Sequence, residues 1–305
     1  MEVVFESQIN ELELVAQDEI RDIYALPKDK ELIVYTDRIS MFGYELDKPI
    51  PYRGLMLNQI SLYWINKFAH MANHNIVAHQ VKRFPPELHP YEAVLSGRSV
   101  IVQKLKTLPL FFRVIGSVEG EDWKSYQETG KVGGRLLPRG LRESDRLENP
   151  IFLVAPSEDL SKHEIDDMNK WAQRMYGQKL YATIEEIGLS VFGVARNYAG
   201  ARGLTIANAA FEFALHDGNP YFVNQVMTPE VATFWSSETF SRGAIQPRYE
   251  KEPLYNWLKA EGWRDDQPLP EVPSLVVSEA SKRYRTIFDI MTGKIAKADG
   301  GAADI

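Results

Sequence analysis

The sequence predicts an α/β (α+β) protein of two domains. Residues 1–109 form a smaller N-terminal antiparallel sheet domain. Residues 110–305 form a larger C-terminal sheet-and-helix domain, with peripheral helices from about residue 246. Three observations carry this reading. Short β-rich apolar runs bounded by charges recur in the first third of the chain. A long helical periodicity follows in the second half. After it come two β-rich runs joined by His216-Asp217-Gly218-Asn219, turn residues suited to a tight hairpin.

Taken in order, Glu31–Thr36 is short, apolar and β-rich, and reads as a buried strand. Ser61–Ala72 carries Leu62, Trp64, Ile65, Phe68 and Met71 at helical spacing and reads as an amphipathic helix. Ser99–Val102 and Leu110–Ile115 read as two strands joined by a turn at Pro109. Lys124–Asn149 is rich in Gly, Arg and Glu with little periodicity, which suggests a functional loop. Asp166–Gly203 repeats Trp171, Met175, Tyr176, Leu180, Ile184, Ile187, Phe192, Ala195 and Tyr198 every three or four residues, so it reads as helix with Gly203 as its stop. Thr205–Phe213 and Tyr221–Met227 are the two strands of the hairpin. Tyr255–Glu261 and Ser278–Thr292 read as peripheral helices, and Lys297–Ile305 as a frayed tail. The sequence contains no internal repeat.

Composition narrows the class. The 305 residues are 44% hydrophobic, enough for one large core or two modest ones. No apolar run approaches the roughly 20 residues needed to span a bilayer. Met1–Glu6 has neither a basic n-region nor a cleavage pattern, so a cytoplasmic protein without a signal peptide is expected. There is no cysteine, which removes disulfides and thiolate zinc sites. The net charge of −7 argues against a general nucleic-acid surface, while leaving room for a local phosphate pocket. His70 and His74 have the i, i+4 spacing of a metal pair, but no third ligand follows in register, so they read as structural and no metal site is expected. The sequence has no P-loop, no dinucleotide fingerprint and no G-x-S-x-G.

A family pattern runs through the chain. Ile206-Ala207-Asn208-Ala209-Ala210-Phe211-Glu212-Phe213, then Phe222-Val223-Asn224-Gln225-Val226-Met227-Thr228-Pro229 and Phe234-Trp235, resembles the hallmark of SAICAR synthetases. In that family it runs I-x-D-T-K-F-E-F-G and I-D-E-V-x-T-P-D-x-S-R-F-W. Arg21-Asp22-Ile23-Tyr24, Asp37-Arg38-Ile39-Ser40-x-Phe42, Pro49-Ile50-Pro51-x-x-Gly54 and Leu57-Asn58-Gln59-Ile60-Ser61 are similar to further family segments. So are Trp123-Lys124-Ser125-Tyr126-x-x-Thr129-Gly130 and Leu137-Pro138-x-Gly140-Leu141-x-Glu143-Ser144. The resemblance implies the family's fold, with an ATP-grasp-like C-terminal domain and nucleotide bound between the domains. It also implies ATP-dependent ligation, in which a carboxyaminoimidazole ribotide is activated as an acyl phosphate and the amine of aspartate displaces the phosphate. Family habit further implies self-association.

Against that pattern the chain shows systematic changes. Asn208, Asn224 and Gln225 stand where the family has Asp, Asp and Glu. Ala210 stands for a lysine, Glu19 for the lysine of G-K-V-R-D, Ile115 and Thr233 for arginines, and Gly120-Glu121-Asp122 for G-S-G. Leu153–Glu158 replaces T-P-S-T-K. Magnesium takes hard oxygen ligands, typically one or two carboxylates with phosphates and water. Three amides in place of three acids therefore predict severely weakened metal binding. The exchanges are near-isosteric, and neutral amides suit the polar edge of a purine or imidazole carboxamide.

The expectation that follows is a diverged enzyme acting on a purine-derived ribonucleotide without ATP or magnesium. Relatives of the family are associated with coformycin- and pentostatin-type nucleoside antibiotics, so closure of a 1,3-diazepine ring is the leading expected reaction. Two alternatives stand beside it: an ATP-dependent SAICAR synthetase, and a non-catalytic ribotide-binding subunit. A decayed copy and a shifted register are the bland readings, although Phe211-Glu212-Phe213 and Thr228-Pro229 fix the register on both sides. His163 and Glu164, aligned with the family's H-D, are the expected acid–base pair. Arg21, Asp37, Arg38, Ser40, Lys104, Lys124, Ser125, Asn208, Asn224, Gln225 and Lys251 are the expected substrate-binding residues. A surface histidine, solvated charges and a purely structural Asp37–Ser40 loop are the competing assignments. The expected ligand is a small ribonucleotide, with neither nucleic acid nor membrane as partner.

Overall fold

Alternation along Leu32-Ile33-Val34-Tyr35 decides how the first sheet is covered. Successive side chains of a strand point to opposite faces. Leu32 and Val34 accordingly join one buried cluster with Tyr24, Phe84, Leu88, Leu95 and Ile101, while Ile33 and Tyr35 join another with Leu62, Val100 and Val102. In the computed structural model, which describes residues 3–156, 168–223, 225–264 and 266–293, this strand spans Lys30–Tyr35. It lies at the centre of a five-stranded sheet ordered Leu14–Gln17, Arg21–Leu26, Lys30–Tyr35, Ser99–Gln103, Ile76–Ala78, every neighbour antiparallel. Each fully buried aliphatic side chain here contributes roughly 1.5–3 kcal/mol.

The chain divides into two compact units. The first unites Met1–Asn66, Asn75–Leu105 and Glu250–Ile305; the second unites Lys67–His74 and Lys106–Tyr249. Residues from Glu250 onward, expected in the C-terminal domain, therefore belong to the first unit. The physical reason is visible in their contacts. The helix Ser274–Thr292 buries Tyr284, whose hydroxyl meets Arg53 Nε at 3.2 Å, and Ser281 Oγ donates to Pro51 O at 3.1 Å. The helix expected at Ser61–Ala72 starts eight residues earlier and ends five earlier, at Arg53–Lys67, because Met56, Leu57 and Ile60 extend the buried stripe toward the N-terminus. Gly54 in its first turn is fixed by close approach: a Cβ there would sit 2.2 Å from Tyr35 O.

The second unit is organised around one long strand, Leu204–His216. Leu110–Ser117, Asn219–Val223 and Ala232–Ser236 all pair with it antiparallel; Arg146–Pro156 continues the sheet on one side and the short Asn73–His74 strand on the other. The expected hairpin is present, with His216 opposite Asn219. Asp217 and Gly218 both have positive φ, 50° and 75°, as a type I′ turn requires. The helix Gln178–Gly200 covers the sheet through Ile184, Ile187, Val191, Phe192 and Ala195. Phe192 lies so close to the sheet that a Cβ on Gly116 would meet its ring at 2.4 Å and Ala207 O at 2.7 Å.

Three sequence expectations are corrected here. The single helix Asp166–Gly203 is two, Met168–Tyr176 and Gln178–Gly200, broken at Gly177 where φ is 85°. The runs Ser99–Val102 and Leu110–Ile115 are not partners across a turn at Pro109. They enter different sheets, because each alternating face finds its apolar cover in a different unit. Lys124–Asn149 is not a bare loop. It contributes to the helix Gly120–Thr129, a small hairpin of Lys131–Val132 with Arg135–Leu136, and the start of the Arg146–Pro156 strand. Val132, Leu137 and Leu147 pack with Ile115, Val118 and Leu153, backed by Trp123 and Tyr126. Among the described residues no helix is long and apolar enough to cross a membrane.

Candidate functional site

In the second unit, adjacent strands bring Asn208 and Gly116-Ser117 together, and the chain then turns directly into the helix Gly120–Thr129. Asn208 is buried. Its Oδ1 accepts from the backbone N–H of Gly116 at 3.0 Å and of Ser117 at 3.2 Å, so both lone pairs are occupied. Its Nδ2 donates to Glu119 Oε1 at 2.7 Å. Glu119 occupies the N-cap position of the helix, yet its side chain makes no cap bond. The carboxylate is turned to Asn208 instead. Burial raises the Glu119 pKa above the usual glutamate value, and Asp122 adds to that. The hydrogen bond from Asn208, the charge of Arg248 and a hydrogen bond from Thr233 oppose it.

The surrounding charges are arranged in pairs. Asp122 holds Arg113 at 2.8 Å, and exposed Lys124 reaches Glu121 at 2.5 Å. Ser125 Oγ donates to Lys131 O at 3.0 Å. The Arg248 guanidinium donates to Pro229 O and, at 3.2 Å, to Ala232 O, which anchors it beside the strand carrying Thr233. Buried Gln225 accepts from Thr228 Oγ1 at 2.5 Å. Farther along, the Leu137–Ser144 motif is held by Asp145, whose carboxylate receives Arg242 Nε at 2.5 Å and Nη2 at 2.7 Å. Arg242 and the backbone N–H of Arg142 lower the Asp145 pKa, against the effect of burial.

The remaining expected site residues lie in the first unit. Asp37 is fully buried, accepting from Gly54 N at 2.9 Å and Arg98 Nη1 at 3.0 Å on one oxygen, and from Val4 N at 2.9 Å on the other. Arg38 is likewise buried, donating to Phe5 O, Asp18 O, Arg21 O and Asp22 Oδ1. Both side chains are buried and brace the loop through these hydrogen bonds. Ser40 sits half-buried on the short Ser40–Met41 strand. Arg21 pairs with Asp18 at 2.6 Å and Lys104 with Glu31 at 2.9 Å, both at least partly exposed. Lys251 is half-buried just before the helix Glu252–Ala260. His163, Glu164 and Asn224 lie outside the described residues. Sequence reasoning missed Glu119, although it noted the acids at 121 and 122; an acid at the junction of a central strand and a helix was the available signal.

The comparisons agree with this architecture. A family model described as SAICAR synthetase matches residues 14–270. The chain belongs to the SAICAR synthetase family. It is 37% identical over 289 residues to the phosphoribosylaminoimidazole-succinocarboxamide synthase of Maridesulfovibrio salexigens, covering 95% of this chain and 97% of that one. With the Syntrophotalea carbinolica synthase of the same name it is 34% identical, covering 95% and 98%. Among solved structures it is similar to the Saccharomyces cerevisiae SAICAR synthase complexed with SAICAR. The TM-score is 0.86 at 28% identity, covering 97% of this chain and 100% of that one.

These findings overturn the expectation of an ATP-independent ring-closing enzyme of coformycin- or pentostatin-type biosynthesis. Relatives matched across nearly the whole chain are named phosphoribosylaminoimidazole-succinocarboxamide or SAICAR synthases, and nothing in the similarity points to a ring-closing branch. The physical error lay in counting charge one position at a time. Asn208 is neutral, but Glu119 places a carboxylate 2.7 Å from it, so an acid is retained at that point of the sheet.

Proposed function

We propose that the protein is an ATP-dependent amide ligase, joining the amine of aspartate to carboxyaminoimidazole ribotide to give SAICAR. The observation that carries this reading is the 37% identity to a phosphoribosylaminoimidazole-succinocarboxamide synthase along 95% of the chain. In this reaction ATP supplies the phosphoryl group that turns the ribotide carboxylate into an acyl phosphate, and the amine then displaces phosphate.

Magnesium would accompany ATP, held largely by the triphosphate and water. The described residues contain no group of three or more acids or histidines able to cage it, and Asn208 has no lone pair to offer. The donor set of the described residues does not fit a protein-held ion.

Lys124 and Ser125 keep family positions and are the proposed contacts of the ribotide phosphate. The Lys124–Glu121 pair is an exposed i, i+3 pair screened by water, and yields readily to a phosphate. Incubation of the purified protein with ATP, magnesium, carboxyaminoimidazole ribotide and aspartate should give ADP and SAICAR in equal amounts. No ADP above the level seen without ribotide would refute the reading.

A further inference from the structure

We propose that residues 237–247 form a strap that opens and closes over the Leu137–Asp145 turn, with the Arg242–Asp145 ion pair as its catch.

The two feet of the strap are fixed. Ser237 N donates to Gly203 O at 3.0 Å, and Ser237 Oγ meets Thr205 Oγ1 at 3.0 Å. At the other end Tyr249 N donates to Phe234 O at 2.8 Å, and Arg248 donates to Pro229 O and Ala232 O. Between these anchors the chain forms neither helix nor strand, and every residue from Ser237 to Ile245 is exposed. The tip is nevertheless built as one piece. Gln246 Oε1 accepts from Ser241 N at 3.1 Å, and its Nε2 donates to Ser241 O and Ala244 O, each at 2.6 Å. A closed tip on two fixed feet moves as a body.

The contacts that hold the tip down are polar. Arg242 forks onto both oxygens of Asp145, at 2.5 and 2.7 Å. Gly243 N donates to Glu143 O at 3.0 Å, and Ser144 Oγ donates to Ala244 O at 2.9 Å. Apolar cover is slight. Phe240 stacks on Trp235 with ring centroids 5.9 Å apart yet stays 37% exposed, and Ile245 is 79% exposed. Segments with few buried apolar contacts and solvent-exposed hydrogen bonds lie at the low end of local stability, and they open without global unfolding.

The surface beneath the strap is tied to the sheet. Ser144 N donates to Val118 O at 2.8 Å and Val118 N to Asp145 O at 3.1 Å, immediately past the Leu110–Ser117 strand. The catch therefore joins a movable tip to a fixed base.

The ion pair also sets what works the catch. The Arg242 side chain is 58% exposed and that of Asp145 is 6% exposed, so dissolved ions reach the cationic half and weaken the pair. The strap is thus sensitive to ionic strength, closed in dilute buffer and more often open as salt rises.

The test is limited digestion of the full chain with chymotrypsin, with cleavage after Phe240 followed by mass spectrometry in wild type, R242Q and S144A. Where opening and closing are fast, the cleavage rate follows the open population. R242Q should accelerate cleavage after Phe240 by about 5–20-fold, between the effect of an exposed ion pair and that of a charge-assisted hydrogen bond. S144A removes only the hydrogen bond to Ala244 O and should accelerate it by about 2–10-fold, which serves if R242Q does not fold. In about 1 M sodium chloride wild type should approach the R242Q rate, and R242Q should respond little, both measured against a peptide substrate in the same buffer. An unchanged rate after Phe240 in R242Q would overturn the proposal. So would equal acceleration at every cleavage site, the mark of global unfolding, or a wild-type rate indifferent to salt.

Discussion

Removal of the Asp37 carboxylate should come close to unfolding the first unit. Asp37 and Arg98 both have side chains with 0% exposure, and their contact is 3.0 Å. Asp37→Ala leaves the Arg98 guanidinium without its charge partner, a loss of about 3–5 kcal/mol for a buried pair. It also strips the acceptor from the buried N–H groups of Val4 and Gly54, each costing about 1–3 kcal/mol if unsatisfied. These contributions are not additive, but about 5 kcal/mol is a conservative sum against a total stability of about 5–15 kcal/mol. Asp37→Asn keeps one acceptor oxygen and should lose about 3–5 kcal/mol. Arg21→Ala is the control: its partner Asp18 is 37% exposed, and the expected loss is below about 1 kcal/mol. Guanidinium unfolding followed by tryptophan fluorescence, with Trp64 buried in the same unit, reads the midpoint at constant slope. If Asp37→Ala unfolded within about 1 kcal/mol of wild type, the idea that this pair is sealed from water would be wrong.

Other perturbations probe the second unit. Gly116→Ala should destabilise by about 1–3 kcal/mol in thermal melts, because the added methyl meets the backbone oxygen of Ala207 at 2.7 Å, which cannot rotate away. Asn208→Asp should lower the melting temperature more at pH 8 than at pH 5. The folded-state pKa of Glu119 is already raised, so its contribution is greatest while it is protonated and falls as pH rises; a second carboxylate steepens that fall. Arg242→Met should move the acid-unfolding midpoint to higher pH when followed by circular dichroism. The Asp145 pKa is lowered in the folded state, so the stability it brings is present above the ordinary aspartate range and lost as pH falls through the folded value; without Arg242 that reserve shrinks.

Much of the fold was legible because its signals are local. The His216–Asn219 turn needs two residues at positive φ, and Asp-Gly advertises that. The alternation at Leu32–Tyr35 announces a strand covered on both faces. What escaped were relations over distance. Nothing near Pro109 says that the strands on either side belong to different sheets, since that depends on where each face finds cover. Gly177 sits inside a continuous helical periodicity, and only its backbone conformation breaks the helix. The site shows the same division. Asn208 stands out against the family pattern, but the meaning of its amide depends on Glu119, 89 residues earlier in the chain. Asp37 and Arg38 have the residue types of a binding loop and prove to be inward-facing braces, a distinction that composition does not carry.

The discontinuous make-up of the first unit has a consequence for synthesis. Arg53 and Tyr284 lie 231 positions apart, so the helix Arg53–Lys67 meets the helix Ser274–Thr292 only once the far end of the chain has been made. At an elongation rate of about 5–20 residues per second, roughly 10–40 seconds separate synthesis of the last strand of the N-terminal sheet from that of the Ser274–Thr292 helix. Throughout that interval the nascent N-terminal half is unfinished, with part of its apolar surface awaiting the chain's far end. The intervening unit has all its own segments before Glu250, so it can close first.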